Sequence, residues 1–123
     1  MSAVTFVASP PGLSPLTEFA FEAVDDADGL YTLVASGDPD VRLFVIDAPL
    51  YLPDYSPAVT VEQLASIGAV EPDEVRLLVV ATLQESGPAA NLMAPILMNE
   101  SNGEAAQVIL DGDDWPLRMP LSA

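Results

Sequence analysis

The 123-residue sequence predicts a mainly β fold, a small antiparallel β-barrel-like single domain spanning residues 1–123 with one short helix. Three observations predict it. Short runs of β-branched, aromatic and aliphatic residues recur along the chain, about eight of them, each closed by turn-forming residues. The dipeptide Asn102-Gly103 stands between two apolar runs, Ala94 to Met98 and Val108 to Leu110. Both of its residues tolerate the positive φ that a two-residue type I′ hairpin turn demands. Finally, only one stretch carries helix start and stop signals. Closure into a barrel removes the open edges through which a chain that is 50% hydrophobic would aggregate.

Taken in order, Val4 to Ala8 reads as a first strand, ended by Ser9-Pro10-Pro11-Gly12. From Thr17 to Val24 the residues alternate, Phe19, Phe21 and Ala23 on one face and Glu18 and Glu22 on the other, the period of a half-buried strand. Asp25-Asp26-Ala27-Asp28-Gly29 is an acidic turn into a strand beginning at Leu30 and running to Ala35. Ser36 to Asp40 is turn chemistry again. Val41 to Ile46 is apolar except for Arg42, which fits a strand buried on both faces or nearly so. Asp47 to Pro57, DAPLYLPDYSP, holds three prolines and two tyrosines and is expected to form a rigid extended loop.

Thr60-Val61-Glu62-Gln63 matches a capping box, so a short helix is predicted over Val61 to Ile67, with Gly68 as its stop. Val75 to Leu83 is the longest β-like run and is expected to be a central strand. Glu85 to Pro88 breaks it. Asn91 and Asn99 bracket the most apolar part of the chain, where their amides can cap loose backbone groups. Asp111 to Asp114 turns once more, and Trp115 to Leu121 is an extended apolar tail, either packed as a closing edge or exposed as a docking peptide.

Composition excludes several function classes. There are 3 Lys+Arg against 19 Asp+Glu, a formal charge of −16, and all three cations are arginines: Arg42, Arg76 and Arg118. A surface of that sign cannot cover phosphates and release counterions, so direct nucleic-acid binding and docking on an anionic membrane are not expected. A basic protein partner would be steered in. No cysteine and no histidine are present, which removes disulfides, thiolate zinc sites and the commonest general base. A nucleophile would lack its usual activating partners. Asp26, Asp28 and Gly29 resemble the middle of a calcium loop, but Val24 and Ala35 stand where its first and twelfth ligands belong. Asp111, Asp113 and Asp114 read as an exposed turn. Thus no catalytic residue, metal site or cofactor is expected. No basic, apolar N-terminal leader and no run of about 18 apolar residues is seen, so a cytoplasmic protein is expected.

Several phrases together resemble one family: LFVIDAPLYLPDY at Leu43 to Tyr55, ANLMAPILMN at Ala90 to Asn99, QVIL at Gln107 to Leu110 and the ending WPLRMPL. They occur in the order and spacing of the flagellar assembly factor family FliW. The resemblance covers about Pro11 to Leu121. It departs at Gly12-Leu13-Ser14-Pro15-Leu16, where the family has G-L-P-G-F, and at Met119, where a histidine is common. What the resemblance implies is a β-barrel-like partner switch without enzymatic activity. FliW proteins bind the RNA-binding translational regulator CsrA, stop it repressing the flagellin message, and bind flagellin as the competing partner. A monomer when free is expected. The alternatives are a flagellin-specific chaperone with no regulatory target and, in a third class, a metal-dependent hydrolase on the acidic turns. The candidate partner-binding residues are Tyr51, Leu52, Asp54 and Tyr55 in the proline-rich segment and Asn91 and Met93 before the hairpin. A core role competes with a contact role for all six.

Overall fold

The computed structural model describes residues 2–8, 16–38, 40–52, 55, 57, 59–71, 74–84, 87–110, 115 and 119–120. Nine strands are formed among them: β1 (Ser2–Phe6), β2 (Glu18–Ala23), β3 (Leu30–Ala35), β4 (Arg42–Asp47), β5 (Val75–Gln84), β6 (Gly87–Ala90), β7 (Ile96–Asn99), β8 (Glu104–Gln107) and β9 (Met119–Pro120). Seven of them close a ring in the order β1-β2-β3-β4-β5-β7-β8 and back to β1. The predicted barrel is therefore present. Every neighbour pair is antiparallel except β8 with β1, which runs parallel at Thr5↔Glu104 and Phe6↔Ala105.

β5 is the central strand that its length and hydrophobicity predict. Leu78 to Ala81 pairs with β4 on one edge, while the other edge is shared, Val75 to Leu78 taking β7 and Ala81 to Gln84 taking β6. β9 then extends the sheet through β6, so the part of the C-terminal tail that is described is packed as a closing edge. β6 was not foreseen, because Pro88 and Gly87 read as breakers.

The two-residue period sorts each strand into an inner and an outer face. Val4, Phe6, Phe19, Phe21, Leu33, Val45, Leu78, Ile96 and Met98 fill the barrel. Phe6 and Phe19 meet edge to face at 5.4 Å. Ala23 lies exposed at the end of β2, although the alternation put it with the buried phenylalanines. β4 differs from expectation in a similar way. Val45 faces the barrel and Ile46 an outer cluster, so both are buried, but Phe44 is 41% exposed, with the Arg42 guanidinium 5.3 Å over its ring.

Two short helices cover the outside where one was predicted. α2 (Val61–Ala65) starts on the complete capping box of Thr60 and Gln63. Thr60 Oγ1 accepts from the Gln63 N–H at 3.1 Å and Gln63 Oε1 from the Thr60 N–H at 2.9 Å. The helix ends two residues earlier than predicted, and Gly68 follows at φ +74°. Its Leu64, with Ile67 and Ala69, seals Leu97 and Ala106 on the outer face of β7 and β8. Thr60→Ala, which removes one half of the cap, is expected to lower stability by about 1 kcal/mol, read as the shift of a urea unfolding midpoint.

The other helix, α1 (Ala48–Tyr51), corrects the expectation of an extended loop over Asp47 to Pro57. Pro49 stands within its first turn, where a fixed φ suits the helix and no N–H is required. The Leu52 N–H donates to the Ala48 carbonyl at 2.7 Å and closes the turn. Over Ala48–Tyr51 the segment is therefore helical where an extended loop was expected.

The hairpin also departs from the type I′ expectation. Asn99 pairs with Glu104, leaving a four-residue loop of Glu100 to Gly103, and the second strand begins at Glu104 rather than near Val108. Gly103 has φ +73°, while Asn102 does not take a positive φ. The reason lies in the side chains. Asn99 Oδ1 accepts from the N–H and hydroxyl of Ser101 at 3.1 and 2.7 Å, and the Asn99 carbonyl accepts from the Gly103 N–H at 2.9 Å. Such local bonds hold a wider loop in place of the tight turn.

Candidate partner-binding site

α1 places its residues by a single helical turn, so Tyr51 and Leu50 project from its last positions. Both stay exposed, at 42% and 57%. The Tyr51 hydroxyl donates to the Asp28 carbonyl at 2.7 Å, pinning α1 to the turn between β2 and β3. Gly29 in that turn has φ +78°, and a Cβ there would stand 2.5 Å from the Leu50 Cδ2 and 3.0 Å from the Tyr51 ring. A residue with a Cβ would be strained at that φ and would push the Leu50 side chain aside. The same turn carries Asp25, Asp26 and Asp28, all exposed, and Asp26 is held at φ 63°.

Leu52 and Tyr55 point the other way, into the outer cluster with Ile46, Val79, Ala90 and Leu92. Tyr55 is 7% exposed. Its ring packs edge to face on Trp115 at 4.7 Å, and its hydroxyl donates to the Leu92 carbonyl. Burial pushes the Tyr55 phenol up to about 12 from its usual 10, because a phenolate loses its hydration there. A folded-state pKa raised in this way leaves stability intact below pH 10 and withdraws it as pH climbs towards 12, where the unfolded chain alone releases its proton. An alkaline titration followed by tyrosinate absorbance is expected to show one late phase near pH 12 that Tyr55→Phe abolishes.

Asn91 and Met93 are half-buried. The Asn91 Oδ1 accepts from the Met93 N–H at 3.0 Å, a local turn that carries the chain from β6 to β7. Since Leu92 lies between them and accepts from Tyr55, the structure brings the proline-rich segment and this turn together, through a buried tyrosine. Asp54 lies outside the described residues. Of the six candidates, then, Tyr51 is exposed, Leu52, Asn91 and Met93 are partly so, and Tyr55 is core. Leu50, beside Tyr51 on α1, is the more exposed of the two.

Among the described residues no group of three or more Asp and Glu gathers to hold a metal. The acidic turn at Asp111 to Asp114 lies outside them. Arg76 is engaged within the fold: its guanidinium donates to the Tyr31 hydroxyl at 2.7 Å, stacks over the Tyr31 ring at 4.9 Å and lies 3.6 Å from Glu100. No helix among the described residues is long and apolar enough to cross a membrane.

A protein-family model described as FliW protein matches residues 1–121. The chain is 33% identical over 124 residues to the flagellar assembly factor FliW of Thermotoga petrophila, covering 98% of this chain and 83% of that protein. It is 34% identical over 119 residues to the one from Symbiobacterium thermophilum, covering 94% and 86%. A crystal structure of the flagellar assembly factor FliW superposes with a TM-score of 0.84 at 24% identity, over 96% of this chain and 84% of that one, a likeness of fold.

Proposed function

From the premise that this chain belongs to the FliW family of flagellar assembly factors, we propose that it works as a protein partner switch controlling flagellin synthesis. In this reading it is a cytoplasmic, non-enzymatic single domain of residues 1–123, monomeric when free, that needs no cofactor. It binds the translational regulator CsrA and lifts its repression of the flagellin message. Flagellin is the competing partner, so flagellin that has not been exported draws the chain away from CsrA and ends its own synthesis.

The observation that carries the reading is the charge. A chain of −16 with no lysine repels RNA and attracts the basic surface of a protein that binds RNA. Seated beside an RNA site, that negative charge weakens RNA binding over about one Debye length, ~8 Å at physiological salt. Electrophoretic mobility shift of CsrA on flagellin leader RNA, with this chain titrated in, tests it. Release of RNA that is stronger at low salt than at high salt is expected. Antagonism of equal strength at both would remove the electrostatic mechanism.

Tyr51, Leu52, Asp54, Tyr55, Asn91 and Met93 remain the proposed partner-facing region, with a division of labour. Tyr51 offers an exposed aromatic anchor, whereas Tyr55 shapes the region from below. Tyr51→Ala is expected to cost about 2 kcal/mol or more of CsrA binding if the ring is central to the interface. Because the side chain is partly solvated, stability is expected to change by no more than about 1 kcal/mol. Unchanged affinity in calorimetry would take α1 out of the interface.

A further inference from the structure

We propose that the partner-docking anchor of this chain is Leu50, together with Tyr51, and that the acidic turn between β2 and β3 forms its charged rim. The occupant is a basic protein surface that presents an apolar pocket edged by lysine or arginine. The inference rests on the partner-switch reading above and locates the contact within it.

Exposed leucines are common, but this one stands on a short helix held at both ends. Leu50 is 57% exposed on a helix of one turn whose ends are tied to the turn between β2 and β3. At one end the Asp47 N–H donates to the Gly29 carbonyl at 2.8 Å, and at the other the Tyr51 hydroxyl donates to the Asp28 carbonyl at 2.7 Å. Gly29, free of a Cβ, lets the leucine and the tyrosine lie directly against the turn. An anchor held in place before docking loses little conformational freedom on binding, which favours affinity. Its surroundings supply the complementary charge. Asp25, Asp26 and Asp28 ring the same turn, and Asp26 keeps a left-handed conformation that costs a non-glycine residue energy unless its surroundings impose it. An apolar centre with a charged, wet rim is how protein interfaces are built, the centre governing dissociation and the rim steering association.

Two variants separate the parts. Leu50→Ser removes the anchor from a largely exposed position, so the fold is retained, as a thermal melt would verify. Replacing Asp25, Asp26 and Asp28 together by asparagine neutralises the rim while keeping the turn chemistry. With the source organism's CsrA immobilised and this chain in solution, surface plasmon resonance is expected to give a Kd at least about ten-fold weaker for Leu50→Ser, mainly through faster dissociation. The triple variant is expected to associate more slowly and with a flatter dependence on salt. If wild-type chain binds and both variants bind as it does, the proposed anchor and rim are wrong while the partner switch stands. If wild-type chain does not bind, the partner-switch reading itself fails and this placement goes with it.

Discussion

Tyr55→Ala is expected to lower stability by about 3–5 kcal/mol, the cost of deleting a buried aromatic ring. The ring is 7% exposed, packs on Trp115 at 4.7 Å and ties residues after α1 to the Leu92 carbonyl. Its loss leaves a cavity between α1, β5 and the C-terminal segment and strips a buried carbonyl of its donor. At roughly 3–5 °C per kcal/mol for a domain of this size, the melting midpoint is expected to fall by about 10–25 °C. Tyr55→Phe keeps the ring and loses the hydroxyl alone, so about 1–2 kcal/mol is expected. This contrast matters for function. A binding defect in Tyr55→Ala that tracks unfolding, beside a binding defect in Tyr51→Ala without unfolding, assigns the two tyrosines to core and contact. A Tyr55→Ala protein with wild-type stability would contradict the packing described.

The second large effect is expected at Asn99, which is 3% exposed. Its Nδ2 donates to the Ile67 carbonyl at 2.8 Å and its Oδ1 serves Ser101, so one amide joins the turn after α2 to the hairpin loop. Asn99→Ala is expected to cost about 2–3 kcal/mol, since the Ile67 carbonyl and Ser101 each lose a hydrogen-bond partner. Asn102 Nδ2, also on the Ile67 carbonyl at 3.0 Å, keeps the loss from being larger. Asn99→Asp adds a buried charge that cannot donate to Ile67. Burial raises the pKa of such a carboxylate, so its penalty is absent when it is protonated in acid and grows as pH rises through the carboxylate range. Denaturant melts of Asn99→Asp at pH 4 and pH 7 are therefore expected to differ more than those of wild type. Equal stability of Asn99→Ala and wild type would show that the amide bonds contribute nothing net.

The strands were legible where alternation or a long β-branched run left one reading. Phe19 and Phe21 against Glu18 marked a strand and its buried face, and the run from Val75 marked a central strand. The capping box at Thr60 was equally legible, because two side chains reach back to backbone three residues away. What escaped was decided by contacts distant in sequence. Proline in Asp47 to Pro57 signals stiffness, but whether the stiff segment extends or coils depends on Ile46, Val79 and Leu92 packing beneath it. Asn-Gly signals a tight turn, yet here the cause was local, because the bonds of Asn99 to Ser101 and Gly103 held a wider loop. β6 exists because the upper half of β5 has an edge to fill, which no local signal in Gly87 to Ala90 announces. The candidate site was half legible for the same reason. Residue type marked Tyr51 and Tyr55 alike, and only the fold exposes one and buries the other.

The most direct test of the partner switch is size-exclusion chromatography with light scattering on this chain mixed with CsrA from its own organism, followed by addition of flagellin. The account predicts a complex with the CsrA dimer that flagellin dissolves, leaving this chain eluting with flagellin. A chain that binds flagellin but never CsrA would contradict the switch and make the protein a flagellin chaperone without a regulatory target.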